Sequence, residues 1–136
     1  VVERLLSWAR GWEGAPFRWG ESDCALIVAE AVDLLSGSAT AAALRGCYRS
    51  RAQALRFQRR NFDLPSLIRA QGFFALAERG TPEAGDILIA RARGFACGHV
   101  CLGRLSLSAW PELGVGLCKT ADLMALPDCR VYRRPC

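Results

Sequence analysis

Apolar positions along the chain change their period near residue 80. Before that point they recur at helical spacing; after it they fall into short runs separated by turn residues. In "VVERLLSWARGW", Val2, Leu5, Leu6 and Trp12 form one apolar stripe, predicting a short amphipathic helix ended by the glycines at 11 and 14. "CALIVAEAVDLLSG" (24–37) is apolar around most of its circumference, with Glu30, Asp33 and Ser36 as exceptions. A helix apolar on all sides is a buried one. Ser22 or Asp23 can cap its start, and Gly37 is suited to end it. Residues 38–75 read as shorter satellite helices: "ATAAALRG", "SRAQALRFQRR" behind a Ser50 cap, and "PSLIRAQG" opening at Pro65.

After "RGTPEAGD" come "DILIARA", "CGHVCLG", "LSLSAW", "GVGLCK" and "CRVYRR", five strand-like runs. Helices first and strands second predict an α+β domain with a small antiparallel sheet, as opposed to alternating βαβ units. At 136 residues, one domain over 1–136 is expected.

Composition narrows the function classes. The chain is 51% hydrophobic and 23% charged, which excludes a disordered or fibrous protein. Its net charge is +5, and Lys119 is the only lysine. The densest basic cluster (Arg45, Arg49, Arg51, Arg56, Arg59, Arg60) is expected to be a solvated helix face, and no nucleic-acid motif accompanies it. No run approaches the roughly 18 apolar residues of a membrane helix. The first residues carry acid and base within their apolar pattern, so neither a signal peptide nor a membrane span is expected. Seven cysteines (24, 47, 97, 101, 118, 129, 136) without a CxxC pair cannot all pair within the chain. Synthesis in a reducing compartment is expected, with most thiols serving as small buried hydrophobes.

Two of these residues invite chemistry. Cys24 stands at the start of the buried helix, where a helix N-terminus stabilises a thiolate, and His99 is the only histidine. A lone histidine is by itself more often structural. The stretch "FRWGESDCALIVAEAVDLLSG" resembles the nucleophile motif of NlpC-type cell-wall peptidases, in which an aromatic-Trp-Gly turn precedes Asp-Cys at a helix start. "PEAGDILIARARGFACGHVCLGR" is similar to the same family's Pro-x-x-Gly-Asp strand and the His-Val strand that follows it. The two matches occur in the family's order.

The resemblance implies a papain-like fold with the nucleophile helix packed on the sheet. It implies Cys24 as nucleophile, His99 as general base and helix-start N–H groups as oxyanion donors. Trp19 and Asp23 would then border the substrate, although Asp23 serves equally well as a helix cap. The implied substrates are peptidoglycan stem peptides, cleaved without a metal or other cofactor. The compact form, with "WGESDC" and "RGCYRS", looks most like small peptidase-like proteins of phage and prophage tails. Tail hub or tip proteins are the partners this implies, and the virion tail its location. Phe17 and Ala25 stand where many members have tyrosine and serine, so two hydroxyls that usually contact the stem peptide are missing.

The family's third site residue, usually His, Asn or Gln on the next strand, is absent. If Gly103 and Arg104 form a two-residue hairpin turn, Cys101 faces Ser106 and His99 faces Ser108. Ser108 is therefore the candidate that orients the imidazole. Two other readings stay open. Cys97, His99 and Cys101 alternate on one strand and offer metal ligands, though three ligands at that spacing are awkward around one ion. Alternatively, the fold is kept as a structural tail subunit whose chemistry is weak or lost.

Overall fold

The structure, a computed structural model, describes residues 2–61, 63–77, 80–92 and 95–135. Five helices come first: α1 (Val2–Trp12), α2 (Cys24–Ser36), α3 (Thr40–Leu44), α4 (Arg51–Arg60) and α5 (Leu64–Ala70). Strands β1 (Phe74–Ala75), β2 (Ile87–Ala92), β3 (Phe95–Cys101), β4 (Leu105–Trp110) and β5 (Gly114–Lys119) follow, then α6 (Thr120–Met124) and β6 (Arg130–Arg133). The strands form one six-stranded sheet in the order β1-β6-β2-β3-β4-β5, with every pairing antiparallel. The protein is α+β, as the change of period predicts.

Local signals set most element ends. Asp23 caps α2 by accepting from the Leu26 N–H at 3.0 Å, and Gly37 closes it with φ 74°. Ser50 caps α4 in the same way, accepting from Gln53. Two boundaries differ from expectation, and two short elements are unexpected. α1 runs through Gly11 to Trp12, because its apolar face stays packed on the core. α5 begins at Leu64, one residue before Pro65, because Asp63 caps it by accepting from Ser66. β1 and α6 carry no periodic signal of their own; each is short and fixed by its neighbours.

The all-round apolarity of α2 has a direct cause. Ile27, Val28, Ala31 and Val32 pack toward the sheet with Ile87, Val100 and Leu107. Leu26 and Ala29 pack on the opposite side against Leu44, Tyr48 and Ala54 of the α3–α4 region. A third cluster, including Leu88, Cys101, Val131 and Leu123 of α6, covers the far face of the sheet. The helix is thus sandwiched from Ala25 to Val32, and its last turn, where Ser36 is exposed, opens to solvent.

Its polar exceptions are all used. Glu30 Oε1 accepts from the indole N–H groups of Trp8 and Trp12, both at 3.0 Å, while its Oε2 accepts from Arg45 at 2.7 Å. Asp33 accepts from the backbone N–H groups of Thr40 and Ala41 and from the hydroxyls of Ser38 and Thr40, so it caps α3 from a neighbouring helix. Burial alone would raise its carboxyl, but these donors outweigh it and hold the pKa below the usual range. Ser36 donates back to the Val32 carbonyl. In "PEAGD", the buried Asp86 accepts two bonds from Arg133, tying the start of β2 to β6.

β3 passes directly beneath α2 and α5. A Cβ on Gly98 would lie 2.6 Å from Val28 Cγ2 and 2.7 Å from Leu64 Cδ2, so only glycine permits this approach. No helix among the described residues is long and apolar enough to cross a membrane.

Candidate active site

β3 pairs with β2 from Phe95 to Val100, but its pairing with β4 is confined to Val100↔Leu107 and Cys101↔Ser106. The two strands part beyond Val100, and the N-terminus of α2 sits at this fork. A cavity of about 290 Å³ opens there. Phe17, Trp19, Tyr48 and Trp110 contribute its aromatic walls, Cys24 comes from α2 and Cys97 from β3, and Asp23, Arg51 and Glu112 are among the polar residues of the lining. Phe17 and Trp19 meet edge to face, with ring centroids 4.8 Å apart. Trp19, expected from the sequence to border substrate, therefore does line the cavity.

The turn before Cys24 is rigid. Gly20 has φ 81°, and a Cβ there would lie 2.0 Å from the Tyr48 carbonyl oxygen. The Gly20 N–H donates to Asp23 Oδ2 at 2.7 Å, Leu26 N–H donates to Oδ1, and the Tyr48 hydroxyl adds a third bond. Both Asp23 oxygens are thus held by protein donors, and the residue is 1% exposed. Burial raises its carboxyl against the pull of those donors. Asp23 caps the helix and, like Trp19, also lies on the cavity wall. Tyr48, buried beside this carboxylate, has its phenol pushed well up, first by burial and then by the Asp23 charge.

Cys24 is half-buried, and its thiol is enclosed by protein. The thiol pKa is raised well above its ordinary value, first by a hydrogen bond with the Cys97 thiol, then by desolvation and by the Asp23 charge. The Gly98 backbone N–H acts in the opposite sense.

His99 is 1% exposed, and burial lowers its pKa to about 4. Nδ1 lies 2.6 Å from Ser108 Oγ, and Ser108 Oγ in turn lies 3.2 Å from Cys118 Sγ. Nε2 is buried and has no hydrogen-bond partner among the described residues. The Trp110 indole lies against the imidazole at 5.3 Å between centroids. His99 itself is not on the cavity wall, and Cys24 and His99 share no hydrogen bond.

The structure therefore brings His99 and Ser108 together through the register that a two-residue Gly103-Arg104 turn dictates. It does not gather Cys97, His99 and Cys101 around one point. Cys97 pairs with Cys24, whereas the Cys101 thiol bonds the Gly103 carbonyl at 3.4 Å within the far-face cluster. Among the described residues no group of three His, Cys, Asp or Glu side chains could hold a metal ion, and the alternating-ligand reading fails on that geometry. Cys136, counted among the thiols, lies outside the described residues. Sequence reasoning missed Cys97 as the partner of Cys24, Tyr48 as the partner of Asp23, and Cys118 as the end of the His99–Ser108 chain. Only "RGCYRS" offered a signal, through its tyrosine.

No curated protein and no solved structure matches the chain. Residues 2–126 match the family model described as a domain of unknown function, DUF6950, and the chain belongs to that family.

Proposed function

We propose that this chain is a papain-like cysteine peptidase or amidase of NlpC type that cleaves amide bonds in peptidoglycan stem peptides as part of a phage-type tail. The observation that carries the proposal is the orientation of the sole histidine. Its Nδ1 is bonded to Ser108 while Nε2 is left unpartnered, on the strand that borders a cysteine-headed helix. A general base needs one ring nitrogen held and the other free. With Nδ1–H donating to Ser108 Oγ, Nε2 carries the lone pair, and the Ser108 hydroxyl is directed to Cys118.

In the proposed reaction Nε2 removes the Cys24 proton, the sulfur attacks the amide carbonyl, and the imidazolium returns the proton to the leaving amine. Water then hydrolyses the thioester, again with His99 as base. The Cys24 N–H, at the first position of α2, has no partner in the helical ladder and supplies an oxyanion donor. Burial keeps the imidazole neutral at neutral pH, as a base must be. Proton transfer requires Nε2 within hydrogen-bond reach of the sulfur, so the imidazole and the Trp110 ring against it must shift when substrate enters. Trp19 borders the substrate, whereas Asp23 acts by fixing the turn that presents Cys24. The peptidoglycan substrate and the tail location rest on the resemblance of "FRWGESDC" and "PEAGD…GHV" to the NlpC-type motifs.

A second reading is a structural tail subunit that keeps a peptidase's shape. The raised Cys24 thiol and its bond to Cys97 in place of His99 favour it. The test is digestion of purified peptidoglycan fragments by wild type and Cys24→Ala, with products identified by mass spectrometry. The peptidase reading expects a new amide cleavage that the substitution abolishes. Absence of cleavage by wild type, both alone and in assembled tails, leaves the structural reading.

A further inference from the structure

Two thiols meet in the fork between β3 and β4. Cys24 opens α2 and Cys97 lies on β3, both are half-buried, both line the same open cavity, and they share a hydrogen bond. From this geometry we propose that Cys24 and Cys97 form a reversible disulfide when the protein meets a hydroperoxide, with Cys97 as the resolving thiol.

Thiols already in hydrogen-bond contact need only a short closure to reach bonding distance, provided their backbones can adjust. The backbone at Cys97 pairs with Ala90 of β2, beyond the residue pairs Val100↔Leu107 and Cys101↔Ser106 that join β3 to β4. Both residues line the cavity, which is the route by which a small oxidant reaches the pair. The remaining described thiols differ. Cys47 is exposed and donates to the Ala43 carbonyl, Cys101 and Cys129 are buried, and Cys118 bonds Ser108.

The chemistry balances. The Cys24 thiolate attacks one peroxide oxygen, the O–O bond breaks, and the departing hydroxide takes up the thiol's proton as water, leaving a sulfenic acid. Cys97 sulfur then attacks the sulfenic sulfur; the S–S bond forms and the displaced hydroxide leaves with the Cys97 proton as a second water. The two thiols together lose two electrons and the peroxide gains them. The first step needs the thiolate, which neighbouring Cys97 and Asp23 disfavour, with Tyr48 also facing the site, so oxidation quickens from neutral to alkaline pH.

The experiment treats the wild-type chain with hydrogen peroxide, blocks free thiols with N-ethylmaleimide under denaturing conditions, and maps the digest by mass spectrometry. The expected product is a peptide pair joining positions 24 and 97, lighter by two hydrogens and split by dithiothreitol. In Cys97→Ser, Cys24 should instead accumulate as sulfinic acid. Phenylarsine oxide, which bridges paired thiols, should protect both positions together in the untreated wild type. Sulfinic acid at Cys24 in the wild type with Cys97 still labelled, or linkage of Cys24 to another cysteine, overturns the proposal. No amide substrate is involved, so a chain that hydrolyses nothing still tests it.

Discussion

Ser108 Oγ sits 2.6 Å from His99 Nδ1, and this bond is the side-chain consequence of a backbone register. The hairpin places Cys101 opposite Ser106 and Val100 opposite Leu107, which brings the next inward pair, His99 and Ser108, face to face just where the strands begin to part. Ser108 is 1% exposed, so no solvent can replace its hydroxyl. Ser108→Ala leaves a buried imidazole nitrogen unsatisfied and should cost about 1–3 kcal/mol. Equilibrium urea unfolding measures that loss. Nitrogen-resolved NMR of the single histidine should also show the ring losing its fixed tautomer, a change that cavity formation alone would not produce.

Acid should destabilise the protein through His99. A free histidine titrates near 6.5, whereas burial holds this one to about 4. Between those values the unfolded chain binds a proton that the folded chain refuses, so stability falls as pH drops from about 6.5 to about 4 and levels below it. The gap corresponds to about 3 kcal/mol. Asp23, raised by burial, contributes with the opposite sign, its stabilisation being lost as pH rises through its folded value. The difference between wild type and His99→Gln isolates the histidine. Urea midpoints across this range should converge toward low pH, and parallel curves would refute the assignment.

Glu30 joins three elements through one carboxylate: Trp8 and Trp12 of α1, and Arg45 just beyond α3. Glu30→Ala strands two indole donors and a guanidinium, with an expected loss of about 2 kcal/mol. Glu30→Gln keeps an oxygen for the indoles and should lose less. Urea unfolding followed by tryptophan fluorescence reads both effects, because two of the four tryptophans contact this residue.

How much of this was legible in the sequence depended on the range of the forces involved. Asp23, Ser50 and Gly37 announce helix ends because capping acts within a few residues. Ser108 could be found because hairpin register is arithmetic once the turn is fixed. α6 could not, because its start depends on Thr120, whose N–H reaches the Arg104 carbonyl and whose hydroxyl reaches that of Gly103 in the preceding hairpin. The same holds for Cys97. Its approach to Cys24 needs β3 and β4 to part, a tertiary event that residue spacing does not encode.

The contact of β3 with α2 should be testable by size alone. Gly98→Ala forces a methyl within 2.6 Å of Val28 Cγ2 and 2.7 Å of Leu64 Cδ2, and both neighbours lie in the buried core. Such overpacking costs about 1–3 kcal/mol. Val28→Ala alone should also destabilise, by leaving a void. In the double variant the new methyl partly occupies the space that Val28 vacates, so the combined loss should be smaller than the sum of the single losses. A double-mutant cycle from urea unfolding gives the coupling, and strict additivity would mean that β3 does not approach α2 as closely as Gly98 allows. Because Gly98 adjoins Cys97 and presents its N–H to Cys24, the same substitution should change the rate at which iodoacetamide alkylates Cys24 while leaving exposed Cys47 unaffected.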